Sequence, residues 1–201
     1  HARTGIRFTG TGAPTISHAQ FVNSQVGIQV RSGTTAIVRN VLFHNVLTNL
    51  HLASGSATVR AEHITANTAT WFNHGASLTN HLTNSILAGV THIGTANTNQ
   101  VATPSDPATV FTVVGAGRNY LPSGSSFVDA GTTAINTTLR NELALRTTRA
   151  PATPTAVVTN TTIWSPTALR DSNVPDLGYH YACIDYAVNL LSVTNTATLA
   201  M

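Results

Sequence analysis

Gly5, Gly27, Asn49 and Trp71 stand twenty-two residues apart, and each opens a similar stretch: GIRFTG, GIQVRSG, NLHLASG and WFNHG. A fixed short period means that one unit is stacked on the next, each burying its apolar residues against its neighbours. Ile6, Ile28, Leu50 and Phe72 share one offset within the unit, and Phe8, Val30, Leu52 and His74 share another, two residues on. That spacing predicts a strand with one face inward. The second half of the unit repeats as well. Ile16, Ala19 and Phe21 correspond to Val38, Val41 and Phe43, and Asn23, Asn45 and Asn67 recur at one offset. The third unit matches only if Val59 and Ile64 slip by one place, a displacement that the bends of a solenoid absorb.

Three architectures use periods near this length. A leucine-rich repeat is suggested by Leu47, Leu50 and Leu52, but equivalent positions elsewhere hold Val, Gln and Ile and no unit has a helix-forming segment. A globular sandwich would not keep register over four units. The pattern fits an all-β, right-handed parallel β-helix: about four regular 22-residue coils, then an irregular C-terminal tail with at most one short helix. Asn23, Asn45 and Asn67 are read as a structural ladder of buried side chains stacked in the bends. Residues 1–92 are the regular coils, 93–181 are closing coils and tail of the same domain, and 182–201 are a terminal strand or pairing segment. Residues 95–107 read as a polar loop. Leu139 and Leu143, one helical turn apart behind an Asn136 cap, predict the one helix.

All ten basic residues are Arg, seven residues are acidic, and the net charge is +3. So small an excess spread over the whole chain is no footprint for nucleic acid. Cys183 is the single cysteine, so no disulfide or cysteine metal site forms within one chain. No apolar run reaches membrane-spanning length.

After the repeats come LTNSILAG, VGAGRNYL, SSFVDAGTT and PDLGYHY. Together with the coils they resemble the terminal module of secreted bacterial right-handed parallel β-helix repeat proteins, the pectate-lyase-like superfamily in its broad sense. The resemblance covers most of the chain and implies a fold and an extracellular or cell-surface location more firmly than a reaction. It also implies that Asp129 of DAG and Asp176 of DLG are structural, fixing loops at the end of the tube.

Enzymes on this fold cleave acidic polysaccharides with a base and a carboxylate-held cation, or hydrolyse glycosidic bonds with paired carboxyl groups. Between residues 5 and 92 the only acid is Glu62, and a pair cannot come from one member. The other acids lie in the tail, where capping is the ordinary role, and no cluster in the sequence supplies the oxygens of a calcium site. No catalytic residue, metal or cofactor is expected. His51, His63, His74 and His81 have different offsets and are not expected to meet at one ion, and His74 is placed inward. The outward offset offers a surface instead. Arg7, Gln29, His51 and Asn73 form a row up the first sheet, Arg31 extends it, and such planar donors suit sugar hydroxyls and carboxylates. That row lacks the ranked Thr of an ice-binding face.

Gly5 opens a full coil after four residues, and LLSVTNTATLA (190–200) alternates with period two and has no later segment to pair with. Open ends of this kind are completed by a longer chain or by a further copy, head to tail. The sequence therefore describes an extracellular structural, adhesive or glycan-binding β-solenoid. Its partners are extracellular polysaccharide, itself or the rest of a longer chain, with no nucleic acid and no membrane span. The alternative is a carbohydrate-active enzyme, a polysaccharide lyase or glycoside hydrolase, on the same fold.

Overall fold

The structure, a computed structural model, describes residues 2–75, 77–155, 157–194 and 196–200. Eight strands wind into one parallel sheet: β1 (Ala2–Arg7), β2 (Thr15–Val22), β3 (Ser24–Val30), β4 (Thr35–His44), β5 (Thr48–Leu52), β6 (Ala57–His74), β7 (Leu78–His92) and β8 (Ala96–Ala102). One flank stacks β1, β3, β5 and the end of β6, and another stacks β2, β4, the start of β6 and β7. The result is a parallel β-solenoid of about four turns.

Register is set by the bends. Ile6 faces Ile28 and Ile28 faces Leu50, steps of 22. Leu50 then faces Asn73, a step of 23, and Trp71 faces His92, a step of 21. The bend after Leu52 holds one residue more than the bend after Val30, and the bend after His74 returns it. β8 adds a further rung, Asn80 facing Ala96, so 96–102 of the expected polar loop is strand.

Ile28, Leu50, Phe72, Val38, Ile64, Leu82 and their neighbours fill the tube. The Phe21 and Phe43 rings stack at 5.2 Å and 14°. Each ring lies over the glycine that opens its own repeat: a Cβ on Gly27 would stand 2.6 Å from Phe43 Cε1 and 2.8 Å from Asn49 O, and Gly5 meets Phe21 in the same way. The opening glycine is therefore a steric requirement of the core.

Two columns of left-handed residues turn the coils. Asn23, Asn45, Thr68 and Gly89 form one, with φ between 52° and 63°. Asn45 Nδ2 donates to Asn23 Oδ1 at 2.7 Å, but both side chains are exposed, and Asn67 stands opposite His44 with its Nδ2 on Asn119 Oδ1 at 2.5 Å. The expectation of a buried three-membered ladder through Asn67 is corrected: the 23-residue step gives Thr68 the bend position.

The second column, His18, Asn40, His63, Asn84 and Gln100, also has positive φ. Asn40, His63 and Asn84 are fully buried. Asn40 Nδ2 reaches His18 Nδ1 at 2.9 Å, and Asn84 Nδ2 reaches His63 Nε2 at 3.0 Å. The PDLGYHY segment closes over this column. His180 N donates to Asn40 Oδ1 at 2.7 Å, Asn40 Nδ2 donates back to His180 O, and Tyr179 N donates to Thr65 Oγ1 at 2.8 Å.

The remaining chain packs against this body. β9 (Thr112–Val114) and β10 (Gly117–Tyr120) pair antiparallel. α1 (Thr137–Leu143) buries Leu139 and Leu143 and is capped by Asn136, whose Oδ1 accepts from Leu139 N at 3.1 Å. Glu62 anchors it, accepting from Asn136 N at 3.1 Å and from Arg39 Nε at 2.9 Å. Of four two-residue strands, β11 (Arg146–Thr147), β12 (Thr162–Ile163), β13 (Tyr181–Ala182) and β14 (Leu199–Ala200), the first pairs antiparallel with the third and the second parallel with the fourth. The alternating end of the chain thus has an internal partner, with Val158 also bridging Val193.

Two outcomes follow from this packing. Gly27→Ala overpacks the ring beneath it and should cost about 1–3 kcal/mol in denaturant unfolding. The cost should shrink when Phe43 is already Leu, and an equal cost in both backgrounds would refute the contact.

His63 gives a pH dependence. Burial holds its imidazole well below the ordinary value, and His180 adds in the same direction. The unfolded chain takes a proton there near pH 6.5, whereas the folded protein resists it, so stability falls as the pH drops below that value, by ~1.4 kcal/mol per unit. His63→Asn, which keeps a residue suited to the left-handed bend, should weaken the fold at pH 7.5 and flatten the loss between pH 6.5 and 5 by about that slope. His44, His51 and Asp176 are common to both proteins and cancel. Urea curves at four pH values would measure it, and parallel profiles would exclude His63 as the source.

Candidate functional site

The outer row begins as the sequence suggests and then departs from it. Arg7 faces Gln29, Gln29 faces His51 and His51 faces His74. Arg7 Nε donates to Gln29 Oε1 at 2.6 Å, and Gln29 Nε2 lies 3.4 Å from His51 Nδ1. The His51 and His74 rings stack at 5.4 Å and 13°. Asn73 is not part of the row. The added residue in the preceding bend turns it into the core, 2% exposed, where its Nδ2 donates to Leu78 O at 2.8 Å and Thr95 O at 2.6 Å. By the same shift His74 points outward rather than inward. Arg31 is exposed and its Nη1 donates to Thr9 O in the coil below, at 2.7 Å.

The row continues into aromatic groups. Trp71 meets His74 edge-on at 4.9 Å and stacks on His92 at 4.3 Å and 28°. At the sheet spacing of ~4.8 Å per coil, the planar groups from Arg7 to His92 extend over about 19 Å. Two concavities follow them: one of about 530 Å³ beside Arg7, Gln29 and Arg31, and one of about 600 Å³ beside His51, Trp71 and His74. Ala53 and Ser54 line both, so they form one trough, and no acidic side chain lines either part. Partial burial and the neighbouring His74 push the His51 imidazole below its ordinary value, and the face presents stacked rings at its upper end and guanidinium groups at its lower end. Such a surface can stack on the apolar face of a sugar ring and donate to its hydroxyls or carboxylates. The sequence signal for Trp71, His74 and His92 was the one-residue slip already visible at Val59 and Ile64.

A second constellation lies in the closing segments. Asp106 caps a turn at Ala108 N, Asp185 accepts from Thr167 N and Ala168 N, Glu142 meets His18 at 2.9 Å, and Glu62 holds α1. The other three acids converge. Asp129, Asp171 and Asp176 each offer a carboxylate oxygen within 4.8 Å of the others, beside a concavity of about 320 Å³. This corrects the expectation that no carboxylate cluster forms.

Asp176 Oδ1 accepts from Asp129 N at 2.8 Å and its Oδ2 accepts from Thr148 Oγ1. Burial pushes its carboxyl above the usual range and the Asp171 charge adds to this, while the bonds from Thr148 and Asp129 oppose it. Asp171 Oδ2 accepts from Asp176 N at 2.8 Å and pairs with His180 Nε2 at 2.5 Å; His180 Nδ1 donates to Gly178 O, since a carbonyl only accepts. Asp129 Oδ1 accepts from Asn173 Nδ2 at 2.7 Å. With both oxygens of Asp176 engaged, the cluster is arranged to hold loops rather than to move protons.

Among the described residues no helix is long and apolar enough to cross a membrane. No family model, no curated protein and no solved structure matches the chain, and what places it among known architectures is its parallel β-solenoid of about four turns.

Proposed function

We propose that this chain is an extracellular glycan-binding β-solenoid that holds a polysaccharide along its outer trough. The observation that carries the reading is Trp71 between the rings of His74 and His92, at the end of a row of planar donors on a face without acidic side chains. A partly exposed Trp outside the core cluster contributes little to the tube's core, and a sugar ring is a common ligand for an aromatic face framed by hydrogen-bond donors. The resemblance to secreted bacterial β-helix proteins of the broad pectate-lyase-like kind supports the same reading, because enzymes of that kind lay polysaccharide on the outer face of the coils. An adhesive or structural role is compatible with it. β1 and β2 each have a single neighbour among the described strands, so a second copy or adjoining coils of a longer chain would extend the sheet from that edge.

Affinity electrophoresis through gels cast with neutral and acidic polysaccharides tests the proposal. The protein should be retarded by at least one of them. Trp71→Ala, at a position outside the core, should weaken retention at least about tenfold, or ~1.4 kcal/mol. Arg7→Ala with Arg31→Ala should weaken acidic polymers more than neutral ones. Equal mobility of the protein and Trp71→Ala in every gel would sink the reading.

A further inference from the structure

The Asp129, Asp171 and Asp176 carboxylates have more negative charge than the protein around them neutralises. Among the described residues the one ion pair made by any of the three is Asp171 with His180. Arg149 and Arg170 border the same concavity, but neither pairs with the cluster, and Arg149 Nη1 is engaged by Pro122 O at 2.7 Å. Carboxylates whose oxygens lie within 4.8 Å of one another repel where water is scarce.

Asp171 supplies a second and separate observation. Its side chain is 2% exposed, and its Oδ1 is buried with no hydrogen-bond donor. The donors nearby, Asp176 N and His180 Nε2, are both spent on Oδ2. A buried carboxylate oxygen without a donor is rare in folded proteins and calls for a partner from outside the chain. Asp171 is also one of the side chains that line the concavity shared with Asp129 and Asp176. Asp129 contributes a second oxygen there, since only its Oδ1 is occupied, by Asn173.

We propose that this cluster binds a divalent cation, calcium in preference to magnesium or zinc. All three ligands are hard carboxylate oxygens, which excludes the nitrogen and sulfur preference of zinc. They come from two loops and leave much of the coordination sphere to water and backbone carbonyls, an irregular arrangement that calcium accepts and octahedral magnesium does not. The cation would join the DAG loop at Asp129 to the 171–176 loop, and through Asp171 it would orient His180 over the buried Asn40 and His63 column. This site is independent of the glycan trough, which lies on the coils.

Titration calorimetry of the whole chain, stripped with chelator and titrated with calcium chloride alone at pH 7.5, tests it. Saturable binding with one site and a Kd of about 0.1–1 mM is expected, with a thermal midpoint that rises with calcium and falls back with chelator. Asp129→Asn is the informative variant: Asp129 is exposed at φ 54°, a conformation Asn adopts readily, and Asn keeps an oxygen for Asn173. It should fold with a metal-free midpoint at or above the parent's, since one repelling charge is gone, and bind calcium at least about tenfold more weakly, whereas Trp71→Ala should bind as the parent does. Absence of saturable heat and of a midpoint shift up to about 10 mM calcium would overturn the proposal, as would equal binding by Asp129→Asn.

Discussion

The stacking of each coil on the one beneath, through parallel backbone hydrogen bonds, is the constraint from which every other feature here derives. Side chains alternate between the two faces of a strand, so one extra residue in a bend exchanges inside for outside until another bend removes it. The bend after Leu52 makes that exchange and the bend after His74 reverses it. Between them Asn73 is drawn into the core and His74 is delivered to the surface. The outward His74 beside Trp71 follows from one residue's difference in a bend whose Ala53 and Ser54 line the same concavity.

The same constraint explains where polar groups are buried. Each coil must turn, and the turn requires left-handed backbone, which Asn and His adopt more readily than branched residues. In the column at Asn40, His63 and Asn84 the bends face inward, and a polar side chain there needs partners. The coils supply some of them to each other, and the closing segment supplies others to Asn40 and Asn84 through the backbone of Thr132 and His180. The tail is consequently part of the interior. Removing it would leave buried amides of Asn40 and Asn84 without these partners.

Much of this was legible in the sequence. Strand positions, the inward Ile and Leu ranks, the Phe pair and the solenoid class all follow from periodicity, because each depends on neighbours one coil away, and the Asn136 cap follows from a local helical spacing. The trough was legible in part: the slip seen at Val59 and Ile64 should have been carried forward to Asn73 and His74, and the same slip makes Thr68 rather than Asn67 the bend residue. The His18, Asn40, His63 and Asn84 column also recurs at coil spacing, but it was hidden by a mixture of two residue types. The carboxylate cluster was beyond reach. Asp129 and Asp171 are 42 residues apart with no repeat between them, and their meeting depends on how irregular loops cross the end of the tube.

The distribution of charge then divides the molecule by task. Six of the seven acids follow residue 92, and the one acid of the coils, Glu62, is consumed by Arg39 and the cap of α1. The outer sheet is left with arginine, amide and aromatic groups, which are suited to stacking and donated hydrogen bonds. A surface of that kind can shift along a repeating polymer with little change in contacts, because coil after coil presents a similar planar group at nearly the same height. Concentrating carboxylates in the closing loops keeps repulsion for acidic polymers away from the trough. It also sets the charges where packing is least regular, and where an ion pair such as Asp171 with His180 can fix loops that no coil-to-coil register controls.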